Sequence, residues 1–377
     1  TPCGTLFPYT TLFRSRDEVE SLAAVERAVG ALGHDEVSLA ALSSADHSRV
    51  EPLLELLAER LTPRRVSLSV PSLRAYGLPA SLVEILSRLR ASGVTLAPEA
   101  GSQRLRDAIN KNVTEDDLLG AAARFFDHGF TRIKLYFMIG LPDETDDDLD
   151  AIVELAARLR RLGQRRLRGR RAAVIASVST FVPKPFTPFE REPMLDIDEV
   201  RRRQRRIQER ARGSRVEVRL HDPRLSRLEG VLCRGDAALA ERIERAVDAG
   251  ARFDGWGERF DEGAWAAALD DATAAAYLAG IERDARVPWD HVDAGVDPRF
   301  LERERERARR AAATAPCGRF AQTGREPAFV CHACGLACAP GDLPVRRPRA
   351  PAEAPRDRER VPTPRRPRPR PAAKDDR

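Results

Sequence analysis

The 377-residue chain has 64 basic and 58 acidic residues, a net charge of +6, and 42% hydrophobic residues, which is enough length for two or three domains and enough apolar content to exclude global disorder. Residues 343–377 alone carry 12 Lys/Arg and 5 Asp/Glu, so the tail holds +7 and residues 1–342 sum to −1, which argues against nucleic-acid binding by bulk charge of the folded part. There is no run of 18 apolar residues and no cationic start leading into an apolar stretch, so no transmembrane helix and no secretory signal are read.

In chain order, residues 1–15 (TPCGTLFPYTTLFRS) have no helical or strand period and resemble the translated read-through of a sequencing adaptor. They are expected to be a non-native or disordered leader. From Arg16, RDEVESLAAVERAVGALG has helical spacing and stops at Gly33. DEVSLAAL reads as a strand, SSAD as a loop, and 48–61 as a helix. RRVSLSVPSL is a second strand, and Pro79 opens a helix that closes on Gly93. VTLAPEAGS is a strand and loop. Thr114 can cap the next helix, with acids complementing its dipole. TRIKLYFMIGLP is a strongly apolar strand, TDDDLDAIVELAARLRRLG a helix, and AAVIASVSTFVPK a long apolar strand.

This β-α-β-α order, with strands apolar on both faces, predicts a parallel sheet covered by helices. The expected fold class is α/β: an incomplete parallel (β/α) barrel over residues 16–192, followed by a mainly helical C-terminal region over 193–312. Strands are expected near 36–40, 66–70, 94–98, 132–138 and 173–181. A Cys-rich metal-binding module is expected over 313–342, and a disordered Pro/Arg-rich tail over 343–377. Polar and Gly-rich segments (SSAD, PSLRAYG, PEAGS, IGLPDET, VPKPFTPFE) fall at the strands' C-terminal ends, the edge that carries active sites in (β/α) barrels.

These edge motifs resemble the radical S-adenosylmethionine (radical SAM) superfamily. PEAGSQRLRDAINK matches a family motif in which an acidic residue in a Gly-Ser turn is followed twelve positions on by a cation. The resemblance implies that Glu99 contacts the S-adenosylmethionine ribose and Lys111 the methionyl carboxylate. KLYFMIGLPDET matches the motif whose backbone meets the adenine, here around Ile139, Gly140 and Leu141. Ser43 and Ser44, after the second family strand, stand where polar contacts to the methionyl amino group are expected. Taken alone, GLPDET is a turn and N-cap with Glu144 and Thr145 in that role; the order and the helix-length gaps carry the resemblance. VPKPFTPFE, VRLHDPRLSRLEGVLCRGD, GARFDGWGERFD and PWDHVDAGV are similar to the uncharacterised subgroup with an N-terminal cobalamin-binding domain. The chemistry implied is one-electron reduction of S-adenosylmethionine to methionine and a 5′-deoxyadenosyl radical, with methyl transfer if cobalamin takes part.

That chemistry needs a [4Fe–4S] cluster on three thiolates, usually C-x3-C-x2-C before the first barrel helix. Only Cys3 stands there. The cluster ligands and the cobalamin domain are therefore expected to belong to a lost upstream part, with this chain inactive and its parent an enzyme.

Cys317, Cys331, Cys334 and Cys338 form a separate set of four thiolates in which CHACG reads as a knuckle. It suits structural zinc or an auxiliary iron–sulfur cluster. The cluster of thiols points to a reducing compartment, so the expected location is cytoplasmic. Cys233, alone in an apolar helix, reads as a core thiol. RRLGQRRLRGRR and RRRQRR read as solvated helix faces; nucleic acid is expected only through the basic tail, and no membrane contact is expected. A reading of another class is a non-catalytic zinc-knuckle adaptor or nucleic-acid-binding protein on a degenerate barrel.

Overall fold

The computed structural model describes residues 18–39, 50–69, 80–88, 93–315, 317–322, 325–336 and 345–346. The leader, the Ser43/Ser44 loop, Cys338 and all but two residues of the basic tail lie outside the described residues.

The first half alternates helix and strand: α1 (Glu18–Leu32), β1 (Glu36–Ser38), α2 (Val50–Leu61), β2 (Ser67–Ser69), α3 (Ala80–Arg88), β3 (Gly93–Glu99), α4 (Gln103–Ala108), α5 (Glu115–Asp127), β4 (Arg132–Ile139), α6 (Asp146–Arg166) and β5 (Ala173–Thr180). Then follow α7 (Ile197–Ala211), β6 (Glu217–Leu220), α8 (Pro223–Arg234), α9 (Leu239–Asp248), α10 (Glu262–Ala268), α11 (Asp271–Leu278) and α12 (Pro298–Arg309). The chain's last elements are β7 (Gly318–Gln322), β8 (Arg325–Val330) and β9 (Val345–Arg346).

The fold is α/β with parallel strands, arranged as a partial barrel. β3-β4-β5-β6 form one sheet in sequential order, every pair parallel, and β1-β2 form a separate parallel pair. All five expected strands are present. β6 was not among the expected strands: EVRL lies in a stretch read as mainly helical, yet it pairs in register with Ile175–Val178. The parallel sheet therefore runs past residue 192.

One face of the sheet packs on α5 and α6. Ile133, Leu135, Phe137 and Ile139 of β4 are buried there with Leu118, Phe125, Phe126, Leu149, Ile152 and Leu159. Helix α5 starts on a reciprocal capping box between Thr114 and Asp117. Helix α6 passes through Gly163 rather than stopping there. A Cβ at Gly163 would come within 2.5 Å of the Phe126 ring, so the glycine sets how closely α5 and α6 pack.

The Arg-rich run of α7 lies against the acidic start of α6. Arg202 and Arg206 pair with Asp146, Arg206 with Asp150, and Arg210 with Glu154. A charge run expected to be a solvated helix face is thus largely spent on a helix–helix contact. Helices α8 to α11 build two smaller cores around Val231 and Leu278 and around Leu228 and Trp265. A cavity of about 740 Å³ lies among them and α7. Neither Glu99 nor Lys111 lines it.

Candidate functional site

At the C-terminal end of β3 the chain leaves regular strand geometry. The β3–β4 register shifts between Leu96 and Glu99, and Glu99 itself has φ +67°. A non-glycine residue with positive φ costs on the order of 1 kcal/mol and persists where the surroundings enforce it, often at functional sites. The bend turns the carboxylate toward the loop after α4. There Lys111 Nζ donates to Glu99 Oε1 at 2.9 Å, with side-chain exposures of 31% and 26%. Neither group is deeply buried, so a ligand can reach both.

Several bonds fix this loop. Arg106 is buried, and its guanidinium donates to the carbonyls of Ala100 (3.1 Å), Gly101 (2.8 Å) and Val113 (3.1 Å). Asn110 and Asn112, on either side of Lys111, both have positive φ, at 53° and 54°, which asparagine tolerates better than most residues. Asn110 Oδ1 also accepts the backbone N–H of Thr314 at 2.9 Å. The segment after α12 is thereby seated on the lysine loop.

On the neighbouring strand, Ile139 ends β4 and Gly140 turns with φ +89°. The Ile139 and Leu141 side chains are buried. Of the backbone groups expected to meet adenine, the Ile139 carbonyl accepts Phe181 N at 2.8 Å and the Leu141 carbonyl accepts Glu144 N at 3.2 Å. The Gly140 N–H donates to Glu144 Oε2 at 2.7 Å. These groups are first of all the turn's own scaffold. A Cβ on Gly140 would meet Leu195 Cδ1 at 3.1 Å, so the glycine keeps the backbone close to the segment after β5.

Two carboxylates, Glu144 and Asp148, hold these turns in place; GLPDET marked a turn and cap, but not the longer-range links these two make. Glu144 is 1% exposed and accepts from Arg203 Nη1 at 2.5 Å as well as from Gly140. Burial pushes its carboxyl up to about 7, against the opposing pull of the Gly140 and Arg203 bonds. Asp148 accepts Ser102 Oγ at 2.5 Å, Thr145 N at 2.8 Å and Thr145 Oγ1 at 2.7 Å, and it pairs with Arg104. Burial raises the Asp148 carboxyl, but the Ser102, Thr145 and Arg104 bonds outweigh it and hold the group below the usual carboxylate range. Asp148 thus ties the Glu99 turn to the Gly140 turn across 46 residues of sequence. A T-x-x-D cap was legible at Thr145; its second function as a latch was not.

The Cys-rich segment is a β-hairpin. β7 and β8 are antiparallel with Gly318 opposite Val330, so Cys317 and Cys331 flank the last pair of the ladder. Past β8, Ala333 N–H donates to Cys331 Sγ at 3.4 Å, with Ala333 at φ +50° and Gly335 at φ +96°. His332 Nε2 lies 2.7 Å from the Ala315 carbonyl, and the Cys334 carbonyl accepts Asp297 N at 2.8 Å. Among the described residues, no three His, Cys, Asp or Glu side chains converge to hold a metal ion. Cys317, Cys331 and Cys334 are thiols in this arrangement, as is Cys233 on α8. The same observation means that the described residues do not fit a three-thiolate cluster. No helix among the described residues is long and apolar enough to cross a membrane.

Residues 5–156 match the family model described as Radical SAM superfamily. The chain is 31% identical over 239 residues to Uncharacterized protein MJ0966 of Methanocaldococcus jannaschii, covering 63% of this chain and 49% of that protein. The chain therefore spans about half the length of the curated relative it matches. Among solved structures, it is similar to Escherichia coli coproporphyrinogen III oxidase (HemN), described as a radical SAM enzyme. The TM-score is 0.34 and the identity 12%, over 45% of this chain and 39% of that one.

Proposed function

We propose that this chain, whose residues 5–156 match the Radical SAM superfamily model, is a radical SAM protein and that the edge formed by Glu99, Lys111 and the Gly140 turn is its S-adenosylmethionine site. The family's members are enzymes that use S-adenosylmethionine for radical chemistry. The observation that carries the reading is the Glu99–Lys111 pair on a strained, latched turn beside Gly140. An ion pair this exposed contributes little to stability, so the strain at Glu99 is better explained by a ligand. The donor set fits the molecule: a carboxylate for ribose hydroxyls, a cation for the methionyl carboxylate, and a glycine turn for a flat base. Without ligand the two groups satisfy each other; with it, each would turn to its own part. Ser43 and Ser44 remain candidates for the amino group. Cobalamin-linked methyl transfer by the whole protein belongs to the same proposal, and its test is cobalamin binding by the longer relative.

Lys111→Met removes the cation and leaves a side chain of similar length. S-adenosylmethionine affinity, read by isothermal titration, is expected to fall about tenfold or more, because bonds to a charged partner contribute about 1.5–3 kcal/mol. Glu99→Gln keeps an acceptor and should lose less. Wild-type affinity in Lys111→Met would overturn the assignment.

A specific observation also favours a structural metal at the C-terminal hairpin. The N–H to sulfur bond at Cys331 and the positive φ at Ala333 and Gly335 bend the CHACG turn as a knuckle requires, while the three described thiols themselves do not converge. Cys317 stands beside it across the ladder. We expect zinc or iron to co-purify and Cys334→Ser to release it, leaving the far-ultraviolet spectrum of the sheet and helices unchanged. Absence of both metals from freshly purified protein would dismiss the site.

A further inference from the structure

The sheet face opposite α5 and α6 is unusual for the inside of a barrel. In a filled (β/α) barrel the inward positions carry layers of branched aliphatic side chains. Here the strand registers align a different set. Tyr136 of β4 pairs with Ser177 of β5, which pairs with Arg219 of β6, so the three side chains form one row on one face. Adjacent members stand one strand spacing apart, about 4.8 Å. Lys134 lies two residues below Tyr136, with Nζ 3.0 Å from the Tyr136 hydroxyl and 4.6 Å from its ring centroid. Ser179 lies two residues above Ser177 and is exposed, its hydroxyl donating to the Phe137 carbonyl at 3.2 Å. The neighbours on β4 that point the other way are buried, while Tyr136 is 42% exposed. The polar row is therefore a true face of the sheet rather than a frayed edge.

The row's charge is one-sided. Among the described residues of β4 to β6, Arg132, Lys134 and Arg219 share this face with one acid, Glu217, which pairs with Arg219 at 2.7 Å. Both partners of that pair are more than half exposed, so it is weak and open to exchange. On the same face Met138 is half-buried and Ile175 is buried. Because the strands are parallel, Glu99 and Gly140 stand at the C-terminal edge of the same sheet, past the row along β3 and β4.

We propose that this row binds the substrate and that the substrate carries an anionic group, a phosphoryl or a carboxylate. Arg219 and Lys134 meet the charge, and the Tyr136 and Ser177 hydroxyls meet its oxygens. The proposal rests on the radical SAM reading only in placing this face beside the cofactor edge.

The test is isothermal titration of the purified chain at low ionic strength with inorganic phosphate and, separately, with succinate. S-adenosylmethionine is titrated in parallel. At least one anion should bind the wild type, and Lys134→Met and Arg219→Met, on separate strands, should each weaken it about tenfold or more. Arg165→Met, an exposed change on α6, should leave it unaltered. Tighter phosphate assigns a phosphoryl substrate and tighter succinate a carboxylate. The proposal is overturned if neither anion binds, or if all three variants lose affinity alike, which would mean diffuse surface charge. Binding of S-adenosylmethionine without either anion rejects the anionic substrate alone. Anion binding that needs Lys134 and Arg219, without S-adenosylmethionine binding, supports the row and rejects the cofactor reading.

Discussion

Gly101→Ala is expected to destabilise the chain by about 3 kcal/mol or more, above the middle of the range for overpacked sites. The reason lies in what the new methyl group would meet. A Cβ at Gly101 would stand 2.3 Å from Ile152 N, 2.7 Å from the carbonyl carbon of Ala151 and 2.8 Å from Asp148 O. All three are backbone atoms of α6. A flexible side chain could swing aside; a helix backbone cannot move without dragging the Gly140 turn at its N-terminal side. Relief would instead push Ser102 away from Asp148 and lift the Glu99 turn. The substitution should therefore lower the urea midpoint and, in protein that stays folded, weaken S-adenosylmethionine binding together with it. Gly30→Ala, where nothing lies within 4 Å of the added atom, is the control and should be neutral or slightly stabilising. A Gly101→Ala stability within about 1 kcal/mol of wild type, well below the overpacking range, would mean that the turn and α6 are not tightly seated.

What the sequence could and could not convey follows from the length scale of each feature. Strands such as RIKLYFMI and the capped start of α5 are local, and their periods and caps are written in consecutive residues. The twelve-residue gap from Glu99 to Lys111 is also local, because a single short helix returns the chain to the strand end. β6 is four residues of alternating polar and apolar side chains on a half-open edge, so neither an apolar run nor a turn pair marks it. The pairing of Arg206 with Asp150 joins residues 56 apart in sequence. Nothing in RRRQRR distinguishes a face that meets an acidic helix from one that meets solvent or phosphate. Asp148 has the same character. Its local function, capping α6, is legible, whereas its bond to Ser102 depends on how two loops meet. The polar row on the inner face required register, since alternation alone does not tell which side of the sheet the helices will cover.

The second large effect expected is a pH dependence carried by Glu144. Its carboxyl is 1% exposed, and burial lifts its folded value to about 7 from the ordinary glutamate value of about 4.5. A carboxyl raised on folding binds its proton more tightly in the native state, so its contribution to stability is full below the unfolded value. That contribution is lost as pH rises through the folded value. Between pH 4.5 and 7.5 the loss is on the order of 3 kcal/mol from this one group. Other titrating groups act over the same range, so the quantity to measure is a difference. Glu144→Gln retains an oxygen for the Gly140 N–H but does not titrate. The stability of wild type minus that of the variant, from urea unfolding at half-unit steps, should fall steadily over this interval and level off above it. A difference that instead grows with pH would show that the Arg203 contact prevails over burial and that the carboxylate is ionised throughout. The same variant tests function. If Glu144 sets the Gly140 turn, the variant should bind S-adenosylmethionine more weakly at every pH, while Lys111 and Glu99 remain intact.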